Sequence, residues 1–390
     1  MAETNPADFD ALDRSLEDSG PGEALDRLAR TLADRGEYRA LLDALLLRAR
    51  HDLGLPLVQD GPLADIAEPA RSQFEERYVE ALRTVGGRLL DAGEIAAAWP
   101  YFRAIAENEP VVAAIEAYRP DEGDERLGPI VDVAFNQGAH PARGFDLILD
   151  HYGTCSAITA FDHLPADESI RAGAADRLVR RLHADLAANL RAEIIRRGQP
   201  TPPEGAPIPD LIAGRDWLFA DDAYHIDVSH LGATVRLATL LQDPATIALA
   251  VELTEYGKRL SGRYESEGDP PFENTHEDLG AYLGALIGRD VEGAIARFRS
   301  KVGPADPDGN DPAIAAQVLV RLLVRLGRMD EAIELAEQSL GHLPESALAC
   351  PSVSQLCWRS GHTDRLARFA RERGDLVAYA AAILRRRERD

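Results

Sequence analysis

Five stretches of this chain share one layout: an apolar helical stripe runs into a glycine, and two or three residues later a second amphipathic stripe begins. They lie around Gly288 (LGALIGRDVEGAIARF), Gly327 (LVRLGRMDEAIELA), Gly361 (LCWRSGHTDRLARF), Gly36 (LADRGEYRALLDALL) and Gly93 (LLDAGEIAAAWPYF). The first three glycines are 39 and then 34 residues apart. A glycine that stops one helix just before another starts makes a helical hairpin. One hairpin cannot cover its own apolar face, so recurrence in this range constrains the chain to hairpins that lean on their neighbours.

The remaining sequence also reads as helix. Apolar residues recur at intervals of three and four, and alternating strand-like runs are scarce. Phe74, Tyr78, Leu82, Val85 and Leu89 form one stripe, with Glu75, Glu76, Glu80 and Arg83 turned to water. Leu178, Leu182, Leu186, Leu190 and Ile194 form a ladder that predicts the longest element, over about 169–197, ended by Gly198 and Pro200. Breaks fall at 119–126 (RPDEGDER), 199–209 (QPTPPEGAPIP), 265–271 and 303–312 (GPADPDGNDP). Prolines remove amide donors and restrict the residue before them, so 199–209 is the strongest boundary. The expected division is a helical-hairpin region at 1–118, a central helical section at 126–198, a Pro-rich linker at 199–209 and helical repeats at 210–390.

Segment 323–344, LVRLGRMDEAIELAEQSLGHLP, resembles the tetratricopeptide repeat: Gly327 at the close-packing turn, Ala332 at the small position of the second helix, Pro344 ending the unit. The resemblance extends over 278–375 and, more loosely, 22–110, while 126–263 departs from it. It implies an all-α fold, an α-solenoid of stacked helical hairpins with an irregular central helical section. It also implies a scaffold that binds a protein or peptide partner along its concave face. Affinity is expected from the first helix of each hairpin.

Charge narrows the partners. The 66 acidic residues outnumber the 43 basic ones for a net charge of -23, which repels phosphate backbones and anionic lipid surfaces, so neither nucleic acid nor membrane is expected and basic segments suit the surface. Lys258 and Lys301 are the two lysines; arginine supplies the rest of the positive charge, interleaved with Asp and Glu. Three cysteines make no disulfide framework and no zinc ribbon. The opening MAETNPADFDALD lacks a secretory pattern, and no stretch approaches the ~18 apolar residues of a membrane span. A cytoplasmic protein is expected.

Side chains with chemical potential concentrate in the middle. In DAYHIDVSHLGATVR, Asp222 predicts a helix start that places His225, Asp227 and His230 in the first two turns. His225 and His230 diverge by roughly 140° around a helix axis, so one metal ion takes two of these ligands more readily than three. In FENTHEDLGAYL, His276, Glu277 and Asp278 follow a second start capped by Asn274 or Thr275. Two helix N-termini with imidazole and carboxylate would suit a divalent metal, or acid and base groups, which defines the alternative function: an enzyme on a helical-repeat scaffold. The same residues also suit structure alone, with His230 in a stripe of Ile226, Ala233 and Leu237 and the acids complementing helix dipoles.

His151 and Cys155, four apart, would face the same way on a helix as an imidazole–thiol pair for nucleophilic catalysis, unless Cys155 is buried and inert in its apolar surroundings. Gly144 and Gly153 read as close helix contacts. Asp306, Asp308 and Asn310 alternate as in a calcium loop, but Asp311 and Gln317 stand where Gly and Glu are needed, so no EF-hand is expected. Trp99, Pro100, Tyr101 and Phe102, and Trp217 with Phe219, suit helix packing or an aromatic binding surface.

Overall fold

The computed structural model describes residues 6–58, 61–200, 202–264, 268–303 and 312–387, and every regular element among them is helical. Asp306, Asp308, Asn310 and Asp311, and parts of the loops at 265–271 and 303–312, lie outside the described residues. The chain forms two compact units, Met1–His151 and Tyr152–Asp390.

Unit 1 contains α1 (Pro6–Asp34, interrupted at Gly20), α2 (Tyr38–Asp52), α3 (Ala70–Asp91), α4 (Ile95–Ala104), α5 (Glu109–Ala117), α6 (Leu127–Val131) with a π-helical turn at Asp132–Asn136, and the first part of α7 (Pro141–Phe161). Val85, Leu89, Trp99, Phe102, Val111, Ile115, Ile130 and Leu147 share its core. The α3 stripe is buried as its spacing predicts, except that Tyr78 is exposed. Trp99 and Phe102 are packing residues, 4% and 3% exposed.

Unit 2 continues from α7 with α8 (Glu168–Arg196), α9 (Ile208–Ile212), α10 (Val228–Leu237), α11 (Pro244–Gly257), α12 (Thr275–Leu286), α13 (Val291–Lys301), α14 (Pro312–Arg325), α15 (Met329–Ser339), α16 (Val353–Ser360), α17 (Thr363–Arg373) and α18 (Leu376–Arg387). The predicted leucine ladder is the buried spine of α8, from Leu178 to Ile194. Asp167 caps it by accepting from the Ser169 and Ile170 amides, and Gly198 ends it in a left-handed conformation.

All five hinge glycines adopt positive φ, between 70° at Gly36 and 81° at Gly288. Each closes its helix in the same way. At Gly327 the glycine amide donates to Val324 O and the next amide, Arg328, reaches back to Leu323 O; Gly36, Gly93, Gly288 and Gly361 repeat that pair of bonds. The following helix starts at once, and α1 packs on α2, α3 on α4, α12 on α13, α14 on α15 and α16 on α17. Packing then passes to the next pair, α2 on α3, α13 on α14, α15 on α16 and α17 on α18.

The break between the two compact units falls inside α7, at 151/152, and the proline-rich stretch belongs to unit 2. That stretch is tied into unit 2: Arg191 donates to the carbonyls of Pro202 and Pro203, the Ile208 amide donates to Glu252, and Ile208 and Leu211 are fully buried. Prolines end the helix without freeing the chain, because their carbonyls remain acceptors. Gly144 is the close contact foreseen, since a Cβ there would sit 2.8 Å from the Phe135 backbone, whereas Gly153, at φ 84° with open space around it, is a break in α7.

Candidate functional site

The central histidines and acids lie in different surroundings. α10 starts at Val228, later than Asp222 predicts, because Asp227 is the N-cap: its carboxylate accepts from the Ser229 and His230 amides and the Ser229 hydroxyl. Those bonds, the hydroxyl's foremost, hold Asp227 below the usual carboxylate range. The buried face of the helix is Leu231, Thr234, Val235 and Ala238, and His230 is only partly covered.

His225 lies before the helix. Its amide donates to the Tyr256 hydroxyl at 2.8 Å, and its Nδ1 is 3.2 Å from the same oxygen. Burial pushes the Tyr256 phenol up to about 12 and moves His225 down, so both groups are held in their neutral forms. Phe219 packs edge-on against the His225 ring and at a tilt against that of Tyr256.

α12 starts at Thr275, as predicted. His276 lies against Gly257, where a Cβ would come within 2.3 Å of its Nδ1, and that nitrogen is buried without a hydrogen-bond partner. Burial first, then the cations Arg236 and Lys258, push its pKa down to about 4. Glu277 is exposed, 3.8 Å from Lys258. Among the described residues no three His, Cys, Asp or Glu side chains gather to hold a metal ion.

His151 and Cys155 do not form a helical i,i+4 pair, because the Gly153 break stands between them. Both are exposed, Cys155 contrary to its apolar neighbours in sequence. Cys350 and Cys357 are the buried thiols, each pushed up to about 11 by burial.

An open groove with an exposed aromatic side chain lies elsewhere, between α16 and α18. Ser352 and Gln355 form a capping box that fixes the start of α16, and Gly361 fixes its end. Between them Trp358 remains 44% exposed. Arg385 of α18 lies over its ring, 4.1 Å from the centroid, and donates to the Trp358 carbonyl at 2.5 Å, so one face of the indole is held while the rest stays accessible. Asp375 orders the start of α18 by accepting from the Val377 and Ala378 amides. Trp358, Arg359, Leu366, Val377 and Ala381 line the resulting groove, of about 390 Å³.

Sequence reasoning does not single out this groove, since Trp358 reads as one more residue of an amphipathic stripe. A usable signal is local charge: residues 353–387 carry eight arginines against three acids in a chain of net charge -23. No helix among the described residues is long and apolar enough to cross a membrane. Comparison with protein-family models, with curated proteins and with solved structures finds no match for this chain.

Proposed function

We propose that this chain is a cytoplasmic interaction protein, a tetratricopeptide-like solenoid of helical hairpins that holds a segment of a protein partner in the groove between α16 and α18. The observation that carries the reading is Trp358: a half-exposed indole, pinned by Arg385 in a groove fixed by two capped helices, has the rigidity and amphipathic character of a binding anchor. The groove lies along α16, the first helix of its hairpin, where such proteins are expected to bind. Whole-chain charge argues for basic ligands, but the arginine-rich surroundings of this groove favour segments that place an apolar side chain on Trp358 and acidic ones beside Arg359 and Arg385. The alternative is an enzyme with a central site of His225, Asp227, His230 and His276, and among the described residues no group of three His, Cys, Asp or Glu side chains could hold a metal there.

Selection of random dodecapeptides on the full chain tests the reading. Enriched peptides should combine apolar and acidic residues and lose at least about tenfold in affinity for Trp358→Ala, a loss of about 1.4 kcal/mol. Peptides that bind Trp358→Ala as well as the unaltered chain, or no enrichment at all, would remove the proposal.

A further inference from the structure

Two helix faces leave large apolar side chains in water, and they carry opposite charge. On α18, Leu376, Ala380 and Leu384 recur at intervals of four on the side opposite the buried Ala382, with Leu376 80% and Leu384 62% exposed. A hairpin array that faces water does so with a polar helix surface, so this stripe is built for contact. On α1, Phe9 and Leu16, seven apart on one face, are 60% and 41% exposed, with Asp10, Asp13 and Glu17 exposed alongside them. The charges are opposite: α1 has eight acids against three arginines, and α18 has three arginines and no acid.

We infer that the outer face of α18 docks on the Phe9–Leu16 face of α1 in a second copy of this chain, giving a heterologous, head-to-tail contact. Charge selects that orientation. Two copies meeting through α18 would bring two arginine-rich surfaces together, and two meeting through α1 would bring two acidic ones, so only the unlike pair is attractive. Arg387, on the Leu376–Leu384 side of α18, comes opposite the acidic residues of α1. A heterologous contact leaves one complementary face free on each end of a pair, so association continues beyond the dimer or closes into a ring. The stripe is separate from the Trp358 groove, and this inference stands whether or not that groove binds a peptide.

Sedimentation velocity of the full chain between about 1 and about 200 µM reads the association. The unaltered chain should grow in mass with concentration. Leu376→Glu with Leu384→Glu should stay monomeric, as should Phe9→Lys with Leu16→Lys; all four positions are exposed, so folding should persist and circular dichroism checks it. A one-to-one mixture of the two double variants should form a complex that stops at two chains, because each variant keeps the face the other has lost. Asp13→Arg should weaken the contact, and Arg387→Asp on the other chain of such a mixture should restore it. A chain that stays monomeric throughout, variants that still associate, or a mixture that stays monomeric would each overturn the inference.

Discussion

The core of unit 1 and the centre of unit 2 are built from similar helices but closed by different forces. Around Val85, Trp99, Phe102, Val111 and Ile115 the contacts are carbon on carbon, and Gly86 lets the Phe102 ring reach the α3 backbone. Around α10 to α12, Thr234, Thr246, Thr254 and Asp278 are fully buried and Thr275 nearly so. Asp278 receives Arg297 Nε at 2.6 Å, the Asn274 amide at 2.9 Å and Lys301 at 2.8 Å, and Lys301 also donates to Glu273 and to the Pro271 carbonyl. Nearby, Glu252 holds His183 at 2.9 Å and the Ile208 amide at 2.8 Å; burial raises its pKa, and these bonds together with the nearby charges of His183 and Arg289 outweigh that effect and leave it lowered. The difference follows from what is being held. A glycine hinge places two helices side by side with their backbone groups already satisfied, and in unit 1 apolar fit completes the contact. The irregular loops of unit 2 bring unpaired backbone groups to the helices, and charged side chains are needed to satisfy them.

Removing Asp278 should therefore have the largest effect. Asp278→Ala would leave Arg297 and Lys301 facing a buried gap and should destabilise unit 2 by about 3–5 kcal/mol. Hydrogen exchange should show lost protection in α12 and α13 with unit 1 unchanged. Equal loss in both units would mean that the contrast does not separate them energetically.

His276 should make unit 2 sensitive to acid. The folded imidazole stays neutral down to about pH 4, whereas the unfolded chain binds that proton below about 6.5, so the stability is present above 6.5 and is lost as pH falls toward 4. Between pH 7 and pH 5 the loss from this group should be about 2 kcal/mol. Denaturant unfolding of His276→Gln should show a pH slope shallower by that amount; an unchanged slope would place the acid sensitivity elsewhere.

The same contrast governs what is legible in the sequence. The glycine hinges can be read because a glycine between two amphipathic stripes supplies the left-handed turn that a hairpin requires, and the α8 ladder because its residues all lie on one face. The start of α10 is misplaced because Asp222 and Asp227 are both good caps, and the choice depends on the Ser229 hydroxyl and amide that Asp227 reaches. The break at Gly153 is hidden because apolar residues continue through it. Asp278 looks like any first-turn acid until Arg297 and Lys301, on the next helix, close on it. The rarity of lysine is a hint, since both lysines lie beside α12. Trp358 is obscured by its helical spacing; whether an indole is covered depends on which helix lies across it, and spacing along one helix does not hold that information.

The smallest expected effect tests unit 1 at two adjacent positions. A Cβ at Gly86 would lie 2.7 Å from Phe102 Cε2, and the ring is 3% exposed with little room to move, so overpacking should cost about 1–3 kcal/mol. Replacing glycine within a helix gains back up to about 1 kcal/mol from backbone entropy, so Gly86→Ala should destabilise by a net of about 1 kcal/mol. At Gly87 nothing lies within 4 Å of the new Cβ, leaving only the entropic gain, and Gly87→Ala should stabilise by up to about 1 kcal/mol. Thermal unfolding of the two variants should thus shift in opposite directions. Two upward shifts would mean that the α3–α4 contact yields to a methyl group.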